Sequence, residues 1–336
     1  MLLKKDKLDS LLAELSTQSR VYVPAYTDGT VLSRFALYNP ASTPAFDLVN
    51  TTMPPKDLLF PQTQKMYRFG LDTEGNAYID AVHDSDDVVI FGMRSCDVRS
   101  IECMDDVFLT HGYGDEFYGE RRERLTMVAI GCTKPAESCF CDSMGLDCNT
   151  APTADIQMNL ADDGSAYVVV AQTEKGKACL GTWGAFLEEG DAAYSGTSCE
   201  LKVNTQGMKQ KLDLMFEHPI WDEVSKKCIT CGTCTFVCPT CHCFDISQEN
   251  REKDGERFRT WDSCMFSAYT EMAGHHNPRA EKMARVRQRF LHKLCFFEDR
   301  YDKMMCMGCG RCVEKCPVAL DITCLIDEIG AADVAS

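Results

Sequence analysis

The sequence predicts an α/β (α+β) domain over residues 1–205 followed by an α-helical domain over residues 206–336. Three observations carry that division. Two apolar runs, 88–92 and 125–131, read as buried parallel strands with a helical stretch between them. From about Lys211 onward apolar residues recur mostly at helical spacing. Near the end one cysteine pattern is written twice, as Cys228-Ile-Thr-Cys231-Gly-Thr-Cys234-Thr-Phe-Val-Cys238-Pro239 and Cys306-Met-Gly-Cys309-Gly-Arg-Cys312-Val-Glu-Lys-Cys316-Pro317.

At the start, Leu2, Leu3, Leu8, Leu11, Leu12 and Leu15 fall at helical spacing, and Lys4, Asp6, Lys7, Asp9 and Glu14 interrupt them. Neither a signal peptide nor a membrane span is therefore expected. Residues 21–24, 31–37, 65–69 and 78–81 read as short strands separated by Gly, Asp and Pro turns. Between the two apolar runs, Val98, Ile101, Val107 and Phe108 lie at near-helical spacing, which makes a strand–helix–strand unit. Residues 167–170 read as a further strand, and the join between domains is placed around 195–212. Past it, Leu212, Met215 and Phe216 lead to the first cysteine run, and helical patterns resume at 265–273 and 280–297.

The repeated C-x2-C-x2-C-x3-C-P run is that of a protein with two [4Fe–4S] clusters. Three close thiolates take three iron corners of one cubane, and the fourth cysteine reaches across to the other. One cluster is thus expected on Cys228, Cys231, Cys234 and Cys316, the second on Cys306, Cys309, Cys312 and Cys238. A zinc ribbon would need two separated C-x2-C knuckles instead. The long helical insert between the runs matches the α-helical type of two-cluster ferredoxin domain rather than the compact βαβ type.

The strand–helix–strand unit puts Cys96 and Cys132 just past the carboxyl ends of adjacent strands, where ligands of open parallel sheets bind. Cys139 and Cys141, at i and i+2, point the same way in extended backbone. These four thiols form a possible metal set, with buried structural cysteines as the alternative, and their spacing does not separate iron–sulfur from zinc. Cys241, Cys243 and Cys264 read as packing against the adjacent clusters, the alternative being a further metal or substrate-facing thiol site. Cys103, Cys148, Cys179, Cys199, Cys295 and Cys324 show no ligand spacing.

With 336 residues the chain is long enough for two cores, and its 21 cysteines without a secretion signal point to a reducing cytoplasm. A net charge of −16 argues against general nucleic-acid binding. Arg279, Lys282, Arg285, Arg287, Arg289 and Lys293 are a local exception: a partner-docking face, an offset to cluster charge, or a solvated helix face. There is no G-x-G-x-x-G after a strand, no P-loop and no nucleophile elbow. Electron-handling parts without bond-breaking parts suggest one component of a larger enzyme.

The chain resembles the iron–sulfur β subunit of the cytoplasmic sulfhydrogenases and, equally, the corresponding iron–sulfur subunit of anaerobic sulfite reductase. The residues carrying the resemblance are Thr52-Met-Pro-Pro-Lys56, Phe91-Gly-Met-Arg-Ser-Cys-Asp97, Cys139-Phe-Cys-Asp-Ser-Met-Gly145 and Glu217-His-Pro-Ile-Trp-Asp-Glu223, with Cys238-Pro-Thr-Cys-His-Cys243, Trp261-Asp-Ser-Cys264 and both cysteine runs. It implies a third [4Fe–4S] cluster on Cys96, Cys132, Cys139 and Cys141, and a role beyond packing for Cys241, Cys243 and Cys264. It departs at His275, which takes a glycine-like position. It also implies one partner with FAD that exchanges electrons with NAD(P)H, and another holding nickel–iron, sirohaem or heterodisulfide-reductase-like chemistry. This subunit would relay electrons between them. The competing expectation is a self-sufficient reductase whose N-terminal α/β domain binds a flavin or small substrate.

Overall fold

The computed structural model describes residues 1–27, 29–84 and 86–334, so the last two residues of the expected 206–336 segment lie outside it. In chain order the strands are β1 (Leu2–Lys4), β2 (Arg20–Tyr26), β3 (Ser33–Leu37), β4 (Thr63–Leu71), β5 (Ala77–Ala81), β6 (Val88–Met93), β7 (Leu125–Ile130), β8 (Ile156–Leu160), β9 (Ala166–Ala171), β10 (Leu187–Glu188), β11 (Phe244–Asn250) and β12 (Asp254–Trp261). They form an eight-stranded mixed sheet, ordered β10-β1-β9-β8-β7-β6-β2-β3, and a four-stranded antiparallel sheet, ordered β11-β12-β4-β5.

The large sheet is parallel at its centre, where β2, β6, β7 and β8 run together. Its central strands are apolar on both faces because both faces are covered. Val89, Phe91, Val128 and Ile130 pack with Leu8, Leu11 and Leu12 of the N-terminal helix Leu8–Leu15. Ile90, Met127 and Ala129 face Val98, Ile101 and Met104 of the helix Ser95–Leu109. The expected strand–helix–strand unit is therefore present. The leucine-rich start divides into a strand, β1, and that first helix rather than one long helix.

The segment after residue 206 mixes helices with strands. Helices Met208–Leu214 and Ile220–Lys227 precede the first cysteine run, and Lys282–Leu291 precedes the second. Between the runs, however, the β11–β12 hairpin replaces part of the expected helical insert, and β12 pairs with β4 of the N-terminal half. At 265–273 only a short 3₁₀ turn, Ala268–Thr270, forms. No helix among the described residues is long and apolar enough to cross a membrane.

The second cysteine run is pressed onto the Cys139–Cys141 loop. Phe140 N–H donates to the Gly308 carbonyl at 2.8 Å, and Asn50 Nδ2 donates to the Cys309 carbonyl at 2.8 Å. Gly308 has φ +61°, and a Cβ there would lie 2.6 Å from Cys141 Cα and the Phe140 carbonyl. Only glycine allows that approach.

Candidate metal centres

The first run is positioned by the helix Ile220–Lys227, which ends at Cys228. Its Trp221 is buried, and the indole N–H donates to the Met215 carbonyl at 2.7 Å. Cys228, Cys231, Cys234 and Cys316 all line one cavity, floored by Phe290 and Arg289. Cys231 is exposed, so this cavity opens on the surface. Cys238, Cys306, Cys309 and Cys312 line a second cavity with Lys293 and Phe140. The two expected quartets are thus each brought together. Among the described residues, no three sulfurs of either quartet fall within 4.8 Å of one another, so the thiols ring their cavities rather than collapse.

Buried cations surround these thiols. Arg285, Arg289 and Lys293 recur every four residues and share one face of the helix Lys282–Leu291 and the π turn His292–Phe296 that continues it. All three are buried. Burial works against the charge on Arg289, but Cys234 and Cys312, as thiolates facing it, more than offset that and hold its guanidinium well above the usual arginine range. Its Nη2 reaches the Cys234 carbonyl at 3.4 Å, while Nε has no hydrogen-bond partner. Lys293 Nζ lies 3.0 Å from Cys238 Sγ and 3.0 Å from Thr240 Oγ1. Burial opposes the charge on Lys293, but Cys238 and Cys241 hold its ammonium above the usual lysine range. Arg311 pairs with Asp97 at 2.8 Å, both fully enclosed, and its Nη1 is unpartnered. Buried charges are costly unless matched, so cations aimed at two rings of thiols fit anionic, thiolate-ligated groups. Arg287, elsewhere in the basic stretch, is largely covered: it lies over Phe216 and reaches Glu217 at 3.1 Å.

Cys241 and Cys243 sit beside these cavities. The Cys238 thiol is held well below its usual range by a hydrogen bond from Cys241, with Lys293 and Lys56 adding to it. Lys56, from the Thr-Met-Pro-Pro-Lys stretch, donates to the Cys241 carbonyl at 2.9 Å and lies 4.1 Å above the Trp261 ring. Cys243 is drawn down to about 6, first by a hydrogen bond from Cys264 and then by Tyr269, with burial opposing. His275 stands apart in an exposed surface turn with φ +61°, which explains its glycine-like position, and its Nδ1 meets Glu271 at 3.0 Å.

The N-terminal thiols are arranged differently from the expected quartet. Cys96 and Cys132 do follow β6 and β7. Cys96 Sγ, however, turns to Asn50 Oδ1 at 3.6 Å, and Cys139 Sγ to the Cys309 carbonyl at 3.7 Å. Cys141 instead meets Cys148 at 3.4 Å and Cys199 at 3.6 Å, with Cys148 and Cys199 3.8 Å apart. Cys139 belongs to the same buried cluster as these three, and Cys132 packs against it. Sequence spacing alone does not reveal Cys148 and Cys199, because the β8–β9 hairpin and a helix separate them in the chain.

Residues 227–320 match the 4Fe–4S dicluster domain family. Over 331 residues the chain is 30% identical to sulfhydrogenase 2 subunit beta of Pyrococcus furiosus, a match covering 94% of this chain and 93% of that relative. This chain belongs to the sulfhydrogenase β-subunit family. No solved structure matches it. For a β subunit of this family, the dicluster match spans the first run and ends just beyond Cys316 of the second, which are the residues that line the two cavities.

Proposed function

We propose that this chain is the electron-transfer iron–sulfur subunit of a multisubunit oxidoreductase, passing electrons between a flavin- and NAD(P)H-binding partner and a catalytic redox partner. The observation that carries the proposal is the pair of neighbouring four-cysteine cavities with Arg289 facing both. Cys228, Cys231, Cys234 and Cys316 would hold one [4Fe–4S] cluster, and Cys306, Cys309, Cys312 and Cys238 the other. When bound, such clusters supply one-electron transfer at potentials set by nearby charge, hydrogen bonds to sulfur and exposure. The chain's own part is positioning and tuning. The exposed Cys231 marks the surface where a partner approaches, and the enclosed Cys306 and Cys309 keep water from the inner site. Arg289 and Lys293 hold positive charge beside the thiolates and favour the reduced, more negative state.

Which terminal chemistry the catalytic partner carries, and that FAD resides on the other partner, belong to the same proposal, as does a cytoplasmic setting. The test is anaerobic purification of the full chain, alone and with its co-purifying subunits. About eight iron per chain and visible absorbance that bleaches with dithionite are expected. An isolated chain that binds flavin and oxidises NAD(P)H by itself would replace the relay with a self-sufficient reductase. A colourless, iron-free chain would defeat both.

A further inference from the structure

We infer that Cys141, Cys148 and Cys199 supply three ligands of a site for a single tetrahedral metal ion, zinc in the first instance, rather than for a third cubane. The argument is one of sulfur spacing. Four thiolates about 2.3 Å from one tetrahedral metal stand about 3.8 Å from each other. The three observed separations are 3.4, 3.6 and 3.8 Å. A cubane carries each thiolate on a different outward iron corner and so holds its sulfurs apart by more than the width of the cube. Among the described residues, no three sulfurs of either C-terminal quartet lie within 4.8 Å of one another, whereas these three do.

The surroundings suit a closed structural site. Cys141, Cys148 and Cys199 are all buried. Cys132 packs on them, and its N–H donates to the Cys148 carbonyl at 3.0 Å. The ligand-bearing loops are fixed from outside. Asp142 Oδ2 accepts the Cys199 N–H at 2.9 Å, and Asn149 bridges to Thr197 through Oδ1 at 3.0 Å and Nδ2 at 3.1 Å. Such supporting hydrogen bonds orient metal ligands. Residues 189–206 form neither helix nor strand, so a metal tie at Cys199 gives this long irregular stretch an anchor. A disulfide would join two of the thiols and strand the third, whereas all three are in mutual contact. Cys96 lies apart, turned to Asn50, and Cys139, although packed in the same buried cluster, turns its Sγ to the Cys309 carbonyl rather than to the other three sulfurs. Because zinc has no redox chemistry, this site ties the loops together and takes no part in electron flow.

The test is metal analysis of the full chain purified anaerobically from zinc- and iron-replete cells. About one zinc beside about eight iron is expected. Cys148→Ser and Cys199→Ser should each lose most of the zinc while keeping iron and dithionite-bleachable absorbance. Cys96→Ser and Cys139→Ser should keep the zinc. Should the serine variants fail to fold, alkylation of the native protein followed by peptide mass spectrometry decides: Cys141, Cys148 and Cys199 should resist modification until a chelator is added. One mononuclear iron with the same variant pattern also upholds the site. Iron near twelve with no zinc, or a third cubane signal abolished by Cys96→Ser or Cys139→Ser, overturns it. Free alkylation of the three thiols in the untreated protein does so as well. Failure of the two-cluster reading would show separately, as iron well below eight.

Discussion

Replacing Lys293 by methionine keeps the buried stem and removes one positive charge 3.0 Å from Cys238 Sγ. A cluster bonded to that sulfur would have its centre roughly 6 Å from the lost charge. At an effective dielectric of about 20 the interaction is about 3 kcal/mol per unit change in cluster charge. For a one-electron couple, at 59 mV per tenfold change, this is a fall of about 120 mV in midpoint potential. Redox titration followed by electron paramagnetic resonance reads it directly. One cluster signal should move down by about that amount, and the other by much less, since Lys293 lines the cavity of Cys238, Cys306, Cys309 and Cys312 and not the other. Lys293→Arg retains the charge and should leave both midpoints nearly in place. If Lys293→Met, folded and fully loaded with iron, shows both midpoints unchanged, then Lys293 does not tune the second cluster and the electrostatic reasoning fails.

Arg311→Leu leaves Asp97 enclosed and uncompensated, so it should cost about 3–5 kcal/mol in denaturant unfolding, and the double change with Asp97→Leu should recover much of the loss. Gly308→Ala places a Cβ against the Phe140 carbonyl at a positive φ, and should lower thermal stability and the iron content of the second site before the first. Because Cys231 is exposed while Cys306 and Cys309 are buried, brief air exposure should bleach the signal of the first cluster sooner, as followed by paramagnetic resonance. Trp221→Ala removes a fully buried indole that supports the helix leading to Cys228 and should cost about 3–5 kcal/mol by the same unfolding assay.

The readily legible parts of the sequence are those with short-range signals. Both cysteine runs, the unit made by β6, its helix and β7, and the thiols after those strands follow from local pattern. The hairpin of β11 and β12 stays hidden because its exposed polar strands, Phe244–Asn250 above all, carry little apolar periodicity and gain their partner from β4, far earlier in the chain. Strand β8 escapes the pattern because Gln157 and Asn159 interrupt its apolar run, although both are buried, with Gln157 bonding to the Ala151 N–H and the Asn149 carbonyl. The direction of Arg289 and Lys293 is legible only as one of three options. The choice among them requires the helix to be seen lying against the thiols. Cys148 and Cys199 have no spacing to announce them, and tertiary contact alone joins them to Cys141.

The pairing of β12 with β4 bears on biogenesis. A ribosome that has released only the first 205 residues presents β4 with one neighbour, β5, and an unprotected edge where β12 belongs. That edge closes once the hairpin emerges between the two cysteine runs, by which time the first run is already out. A chain cut between the two halves leaves that β4 edge open, the kind of unpaired edge that invites pairing with another chain.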